Sequence, residues 1–399
     1  MKVAIVCLNL QWQAGGVRLI YSLAHGLAAQ GNKVVIYAPV VNEAAFPDLR
    51  KGLDIRAVPE ADTMVWTKLP SSLLGQVMNR MRQERSRIVA AQRIAVAMDD
   101  DFDAVNLHDF AYKVGLFYKR RNPKATIIWT ENDPPYSYIP HGNALRDFLS
   151  RTYNWFKDFT ERKYFRAIGR VAVLDGYNEA WCNVRGLHPV VIRSGVDFAK
   201  FYSPAREFKR GEDARIIAIG ALNGYRRFED IIEAVAILHE LGRKDSLLIV
   251  AKDIWNEEAC REGLVDLVKK LKLTDAVTLC FDGLSNEALK EAYAESNVYI
   301  LSTYIPAPRS GYGWGLSNFE AMAAGLPIVI CRTCTATEVL TDGVDAMLVE
   351  PCSPADIALK VRALTDNPLL AASVAAAGQD LVRKTISWDI YAKKMIELF

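Results

Sequence analysis

Short apolar runs alternate with longer amphipathic stretches along most of this 399-residue chain. The runs are rich in β-branched residues, which is typical of buried strands, and the stretches between them repeat apolar residues at helical spacing. Strands that alternate with helices in this way indicate parallel sheets covered by helices. The predicted fold class is therefore α/β, with doubly wound sheets.

The alternation falls into two series. In the first series we place strands at 2–8, 33–38, 103–107, 125–129 and 170–174, with a helix at 17–30. The second begins after Pro204, with strands at 215–219, 246–251, 276–280, 297–301, 327–331 and 346–349 and helices at 227–241, 257–271, 285–294, 317–324 and from 354 onward. We expect Rossmann-like domains at 1–194 and 195–380 that face each other across a ligand-binding cleft, and a C-terminal helix in 381–399 that returns to the first domain.

Composition excludes a disordered or fibrous chain, because 51% of the residues are hydrophobic and 24% are charged. The net charge of +2 conceals an asymmetry, since residues 1–195 carry +8 and the remainder carries −6. The first domain is therefore expected to approach phosphates or an anionic membrane surface, and no nucleic-acid partner is predicted. No uninterrupted apolar run of 18 residues occurs, so any membrane contact should be peripheral.

The cysteine content indicates the cellular compartment. Seven cysteines, an odd number, occur without a secretory start pattern, which favours reduced thiols and a cytoplasmic protein. Two long helical stretches, 71–97 and 144–170, mix basic with apolar or aromatic residues and could lie on the inner face of a membrane. A solvated helix face is the favoured explanation of the first stretch, and core packing is the favoured explanation of the aromatics of the second.

Two glycine-containing segments could hold an anionic ligand. Gly15-Gly16 stands between the first strand and its helix, where glycine lets backbone approach a ligand and free amides favour a phosphate. The segment 310–329 contains three alternating glycines that lead into a helix carrying Glu320 near its first turn. A carboxylate there could accept hydrogen bonds from the two hydroxyls of a ribose, or could simply stabilise the helix dipole.

Several segments, in this order, resemble the GT-B glycosyltransferases, and specifically the retaining group known as glycosyltransferase family 4. They are Gly15-Gly16, 103–108, 191–197 ahead of Phe201, 217–222, 313–327 and Ser387-Trp388. The most specific is Glu320-Ala321-Met322-Ala323 followed by Gly325 and Pro327. The resemblance covers nearly the whole chain and implies two Rossmann-like domains, with the acceptor in the first and a nucleotide-sugar donor in the second.

The resemblance also implies the reaction. It is a retaining, metal-independent transfer of a sugar from a nucleotide-diphosphate-sugar co-substrate to a glycan or lipid-linked acceptor, in cell-surface polysaccharide or glycoconjugate synthesis. His108 matches a histidine near the transferred sugar, Arg226 a lysine on the diphosphate, and Glu320 the glutamate that holds the ribose. The other residues expected to bind the donor are Gly15, Gly16, Arg227, Gly283, Leu284, Arg309, Tyr312, Gly313, Trp314, Gly315 and Leu316.

Three positions depart from the family pattern. Tyr312 stands where the family has its first glutamate, Ala221 replaces an arginine that follows the phosphate strand, and Ser194 replaces an asparagine. The second change leaves Arg226, with Arg227 or Arg309, to neutralise the leaving group. Two other functions therefore stay open: a nucleotide-sugar epimerase of the same architecture, and a GT-B protein that binds sugar or nucleotide without catalysis.

Two further motifs suggest metals. The acidic segment 99–103 contains Asp-x-Asp, which binds a divalent ion in the other major glycosyltransferase fold, but here it precedes a strand and is expected to be a solvated loop. Cys331 and Cys334 have the spacing of a zinc half-site or a redox pair. Since no second ligand pair accompanies them, we expect a reduced structural pair and no metal site.

Overall fold

The computed structural model describes residues 1–11, 15–62, 72–136, 144–204, 206–254, 256–305 and 314–399. The chain divides into two compact units. Unit 1 contains Met1–Arg193 and Trp388–Phe399, and unit 2 contains Ser194–Ser387. Each unit is an α/β structure built on a parallel sheet.

The sheet of unit 1 consists, in its described part, of seven parallel strands in the order β3-β2-β1-β4-β5-β6-β7. The strands are β1 (Lys2–Val6), β2 (Lys33–Ala38), β3 (Asp54–Ala57), β4 (Ala104–His108), β5 (Thr126–Glu131), β6 (Arg170–Val173) and β7 (Pro189–Val191). The central strands β1 and β4 are almost entirely buried. Because helices cover both faces of such a sheet, β1 is almost continuously apolar, and in β4 the buried Asn106 donates a hydrogen bond to the hydroxyl of Thr130 on the next strand at 3.0 Å.

Helices pack on both faces of this sheet. They are α1 (Gly15–Ala29), α2 (Pro47–Arg50), α3 (Leu73–Ala97), α4 (Val114–Arg121), α5 (Ala144–Phe165), α6 (Gly176–Asn183) and, at the end of the chain, α14 (Trp388–Ile396). The helices numbered between α6 and α14 belong to unit 2. The last helix packs on α1, where a Cβ atom at Gly26 would overlap the Cβ of Ala392. Glycine at this position therefore permits the C-terminal helix to pack closely against unit 1.

Unit 2 holds a second parallel sheet in the order β10-β9-β8-β11-β12-β13. Its strands are β8 (Arg215–Ala221), β9 (Ser246–Lys252), β10 (Val277–Cys280), β11 (Val298–Leu301), β12 (Ile328–Cys331) and β13 (Met347–Val349). Its helices are α7 (Phe198–Phe201), α8 (Phe228–Glu240), α9 (Glu258–Lys270), α10 (Asn286–Glu295), α11 (Leu316–Ala323), α12 (Pro354–Asp366) and α13 (Pro368–Thr385). Strand β8 is therefore flanked by β9 on one side and by β11 on the other.

The sequence pattern places the central strands within two residues of their observed bounds but misses β3 and β7. Both are short edge strands with little buried surface. The sequence of β3 lacks an apolar run, whereas the apolar β7 is only three residues long and begins with a proline. Pro189 opens β7, a position where the missing amide removes no ladder hydrogen bond from the sheet interior. The predicted α/β class is confirmed by both sheets.

Candidate functional site

The strand order of unit 2 reverses between β8 and β11. The chain leaves β8 toward β9 and β10 on one side, then returns to add β11, β12 and β13 on the other. At such a switch point the connections leave in opposite directions, and the carboxyl ends of the two strands leave a crevice in which open α/β sheets bind ligands. The residues that follow β8 and β11 are therefore the first place to look for a site.

Arg226 lies at this switch point. It ends the 3₁₀ turn Gly224–Arg226, and its side chain folds back over the end of β8, where a Cβ atom at Gly220 would stand 3.1 Å from Nε. Nη1 donates to the hydroxyl of Thr303, just beyond β11, at 3.2 Å. Nε is buried and donates no hydrogen bond to the described residues. A guanidinium with an unmet donor here is suited to an anionic ligand.

The loop that carries Arg226 is fixed from the neighbouring strand. Ser302 follows β11, and its hydroxyl donates to the carbonyl of Arg226 at 2.9 Å and to that of Arg227 at 2.8 Å. The amide of Tyr304 donates to the carbonyl of Tyr225 at 2.9 Å. These bonds hold the turn after β8 against the chain after β11, so the guanidinium of Arg226 is positioned before any ligand binds.

Arg227 is used differently from its neighbour. Arg227 immediately precedes α8, and its backbone has a positive φ of 54°. This conformation directs its side chain along the helix. The guanidinium makes two hydrogen bonds to the carboxylate of Asp230, at 3.0 and 2.5 Å, and pairs with Glu229 at 2.7 Å. These carboxylates raise the pKa of Arg227 above its ordinary value. Its charge is therefore already balanced within α8.

Helix α11 begins beside the same crevice. Gly315 precedes it with a positive φ of 51°, and a Cβ atom there would stand 3.0 Å from the side-chain nitrogen Nδ2 of Asn318. Trp314 is buried, and its indole nitrogen donates to the carbonyl of Ser194 at 3.2 Å. Leu316 is the first residue of the helix. Because the first amides of a helix have no partner within the helix, this end can bind a negatively charged group.

Glu320 is the fifth residue of α11, which starts at Leu316, one residue before the predicted start. It therefore lies just past the first turn of the helix, near the expected place. Its side chain is only 4% exposed, and the hydroxyl of Tyr293 on α10 donates to Oε2 at 3.3 Å. In the first turn of α11, Ser317 hydrogen-bonds the hydroxyl of Tyr299 at 2.8 Å. The carboxylate is thus held between α10 and α11.

The loop after β10 adds another close backbone approach. Gly283 has a positive φ of 81°, and a Cβ atom there would stand 3.1 Å from Cδ of Lys252 at the end of β9. Leu284 is 36% exposed, and Ser285 then caps α10. The lysine stem therefore lies against backbone that carries no side chain. Gly283 and Lys252 together border the carboxyl edge of β9 and β10.

Unit 1 carries two of the expected site elements. Gly15 and Gly16 form the first turn of α1 and not the loop before it, which corrects the predicted helix start at residue 17. Nothing described lies within 4 Å of the position of a Cβ atom at Gly16. His108 ends β4 and is 2% exposed, with its Nε2 buried and unpartnered among the described residues. Burial lowers the pKa of His108 to about 3, so its imidazole is neutral at physiological pH.

The remaining expected residues fall outside the described part of the chain. They are Arg309, Tyr312 and Gly313, within the undescribed segment 306–313. Sequence reasoning missed Thr303, Ser302 and Lys252, which contact Arg226, its backbone and Gly283. Their positions in the sequence could have indicated them. Ser302 and Thr303 directly follow a buried strand and Lys252 ends one, on the edge where doubly wound sheets bind ligands.

The two metal-like motifs have other partners. Asp99 pairs with the ammonium of Lys2 at 2.9 Å and with the guanidinium of Arg56 at 3.0 Å. All seven cysteines are free, and the thiol of Cys334 donates to the carbonyl of Thr303 at 3.4 Å. The thiol of Cys334 also lowers the pKa of Cys331 to about 6. Among the described residues, no group of three or more His, Cys, Asp and Glu side chains is placed to hold a metal ion.

Comparison with known proteins assigns the second half of the chain to a family. Residues 202–381 match the family Glycosyl transferases group 1. Over its full length the chain is 24% identical to a phosphatidyl-myo-inositol mannosyltransferase of Mycobacterium leprae, of which it covers 96%. It is also 24% identical, over 52% of its own length and 47% of the relative, to a glycogen synthase of Mycobacterium tuberculosis.

Solved structures share the fold of the whole chain. The Anabaena protein HepE in complex with UDP and glucose matches with a TM-score of 0.72 at 14% identity, over 100% of this chain and 98% of that one. Sucrose-phosphate synthase from Thermosynechococcus elongatus matches with a TM-score of 0.71 at 18% identity, over 100% and 98% of the two chains. With the two parallel sheets, these likenesses show that the chain has the GT-B fold, and the match of residues 202–381 supports a glycosyltransferase of group 1.

Proposed function

We propose that this enzyme transfers a sugar, with retention of configuration and without a metal ion, from a nucleoside-diphosphate sugar bound by unit 2 to a glycan or lipid-linked acceptor bound by unit 1. Two comparisons support the substrates. The full-length mycobacterial relative is named for mannosyl transfer to phosphatidyl-myo-inositol, and HepE was solved with UDP and glucose. The seven free thiols fit a reducing compartment, so we place the reaction on the cytoplasmic side of a membrane.

The observation that carries this proposal is the position of Arg226. Its guanidinium lies across the end of β8 at the switch point, anchored to Thr303 by one nitrogen, and its Nε has no hydrogen-bond partner in the described part of the chain. The departing nucleoside diphosphate gains negative charge on its terminal phosphate, and a fixed donor at that point stabilises the transition state. Such a donor contributes on the order of 3 to 4 kcal/mol.

The other groups act on binding and orientation. The carboxylate of Glu320 accepts hydrogen bonds from hydroxyl groups, as it does from Tyr293, and we assign it to the donor ribose. The start of α11 supplies amides to the diphosphate. His108, whose imidazole is neutral, offers to a hydroxyl of the transferred sugar its Nε2, which has no partner among the residues that the structure describes. We assign no side-chain nucleophile, since the acceptor hydroxyl attacks from the face that the leaving group vacates.

A thermal-shift screen with UDP, GDP, ADP and dTDP, followed by their sugars, tests the donor site. A ligand at a hundred times its Kd adds about 2.7 kcal/mol to the free energy of unfolding, which raises the melting temperature by several degrees. Release of free sugar from the stabilising donor then distinguishes an enzyme from a protein that only binds. Stabilisation by none of these compounds would contradict the proposal.

The matched variants are Arg226→Ala and Arg332→Ala. Arg332 is a surface arginine of the same unit, paired with Asp342 at 3.3 Å and Glu350 at 3.0 Å. Loss of Arg226 should lower turnover of the donor by about 10² to 10³-fold while the melting temperature of the free protein is retained. The Arg332 variant should match the wild type in both. Equal turnover in all three proteins would refute the role of Arg226.

A further inference from the structure

Helix α5 of unit 1 turns an unusual surface toward solvent. Its 22 residues include six large apolar side chains that are 41% exposed or more, led by Trp155 at 71% and by Phe148 and Phe159 at 66% each. The others are Leu145, Leu149 and Phe156. At 100° per residue these positions fall within an arc of about 120°, one third of the helix circumference. Soluble proteins rarely expose so many large apolar side chains on one helix unless that surface binds something.

The charges of α5 are segregated between its two sides. The exposed side carries cations, namely Arg151, Arg162 and Lys163, with Arg166 just beyond the helix end. Asp158, at the border of this side, is half-buried, and its carboxylate accepts from Arg185 and from the hydroxyl of Tyr136, both at 2.7 Å. The exposed face from Phe148 to Arg166 therefore combines apolar and positively charged groups, with no exposed carboxylate between those residues.

Buried ion pairs fix this orientation. Glu161 on α5 is 2% exposed and accepts from Lys113 at 2.6 Å and from Lys157 at 2.6 Å. Lys157 also pairs at 2.8 Å with Glu84 of the neighbouring helix α3. Although burial opposes ionisation, the two lysines hold the pKa of Glu161 below its ordinary value. Because breaking a buried pair costs several kcal/mol, α5 cannot easily rotate to bury its aromatic side.

The neighbouring helix continues the same surface. Arg80 of α3 lies over the ring of Tyr153 on α5, with 5.0 Å from its guanidinium carbon to the ring centroid. Further along α3, Met81 is 68% exposed, and Arg82 and Arg85 are exposed as well. The surface formed by Phe148–Arg166 and Arg80–Arg85 therefore alternates apolar and cationic groups on two adjacent helices.

We propose that this surface docks the enzyme onto an anionic lipid bilayer, with Phe148, Trp155 and Phe159 inserted at the level of the headgroups and the arginines and lysines against lipid phosphates. Charge complementarity favours lipid over a second copy of the chain, because two such cationic faces would repel each other. Aromatic side chains flanked by Arg and Lys are the composition of helices that lie in the membrane interface. None of the described helices is long and apolar enough to span a membrane.

The binding test uses sedimentation with two kinds of vesicle, phosphatidylcholine alone and phosphatidylcholine containing about one third phosphatidylglycerol. The intact protein should bind the second kind more tightly and be released by salt. Substituting both Arg162 and Lys163 by Ala should weaken binding about thirtyfold, because each cation near an anionic surface contributes roughly fivefold. Equal binding of both vesicles, or none of either, would overturn the proposal.

A second set of variants separates insertion from charge. The pair Trp155→Ser and Phe159→Ser should abolish vesicle binding, whereas Leu369→Ser, at an 84% exposed position on α13, should leave it unchanged. Trp155→Phe should keep binding but lose the blue shift of tryptophan emission that insertion produces. If the serine pair instead changes the oligomeric state in size-exclusion chromatography with no effect on vesicles, the surface is a protein interface and the proposal is wrong.

This inference does not depend on the donor site. Hydrolysis of the donor sugar should be the same in the serine pair and in the wild type, because the substituted residues belong to unit 1 whereas Arg226 belongs to unit 2. Loss of vesicle binding with hydrolysis intact therefore tests the surface alone. Loss of hydrolysis as well would show that the substitutions act on folding and would refute the surface as an independent element.

Discussion

Adding a single methyl group at Gly220 tests whether Arg226 has to lie where it does. A Cβ atom at Gly220 would stand 3.1 Å from Nε and 3.3 Å from Cδ of Arg226, closer than the ~3.5 to 4.0 Å of ordinary contacts. Gly220 is inside β8 and does not have a positive φ, so alanine fits the backbone. The substitution should therefore displace the guanidinium by about half an ångström and leave the strand intact.

The displacement sets the size of the effect. A shift of about 1 Å in a positioned group costs roughly a hundredfold in rate, so half of that should cost about tenfold in kcat/KM for the donor. Affinity for UDP or GDP, whichever the protein binds, should fall in parallel in calorimetry. The free energy of unfolding should stay level or rise slightly, because alanine restricts the unfolded chain more than glycine does.

The control is Gly263→Ala in α9, where a Cβ atom would meet nothing within 4 Å. Since alanine is the better helix former by about 1 kcal/mol, this variant should melt at a higher temperature with unchanged turnover. Gly220→Ala with wild-type kcat/KM and wild-type nucleotide affinity would refute the reasoning, because it would show that the donor does not use the guanidinium in its observed place.

Three further substitutions probe stability. Gly26→Ala should lower the free energy of unfolding in urea by about 1 to 3 kcal/mol, because the added methyl group overlaps Ala392. This cost should outweigh the helix preference of alanine. A higher free energy of unfolding would contradict the packing of the last helix on α1. The unfolded chain protonates His108 below about pH 6.5, whereas the folded chain does so only near pH 3. Between these values the free energy of unfolding of the wild type should therefore fall by about 1.4 kcal/mol per pH unit relative to that of His108→Gln. Parallel curves of unfolding free energy against pH for the two proteins would disprove this. Arg227→Ala should lower the free energy of unfolding by about 1 to 3 kcal/mol by unpairing buried Asp230, with nucleotide affinity retained in calorimetry.

Most of the fold follows from hydrophobic periodicity. Strands such as β1 and β12 are buried along nearly their whole length, so their sequences are short apolar runs with clear ends. The edge strand β3 has none of its four residues buried, and its polar sequence gives no such signal. Periodicity therefore locates strands through the surface they bury, and it fails where a strand owes its place to backbone pairing with one neighbour.

The candidate site was predictable by position more than by contact. The sequence places Arg226 after β8 and Glu320 in the helix after β11, and the strand order brings both to one edge of the sheet. What it does not give is their partners. Thr303 holds Nη1 of Arg226, and Tyr293 holds Glu320, through contacts between segments 77 and 27 residues apart. Such pairings depend on helix register and side-chain rotamers, which local sequence patterns do not encode.

Two adjacent arginines show what decides the role of a charged residue here. Arg226 ends a 3₁₀ turn and folds back over Gly220 toward the strand ends, whereas Arg227 adopts a left-handed backbone and turns toward Asp230 in α8. That conformation costs a non-glycine residue about 1 to 2 kcal/mol, and the ion pairs with Glu229 and Asp230 offset it. The positive φ of Arg227 thus pairs its charge with α8, whereas the charge of Arg226 stays available to a ligand. Substituting Gly220 beneath Arg226 should therefore alter catalysis, and removing the side chain of Arg227 should alter stability.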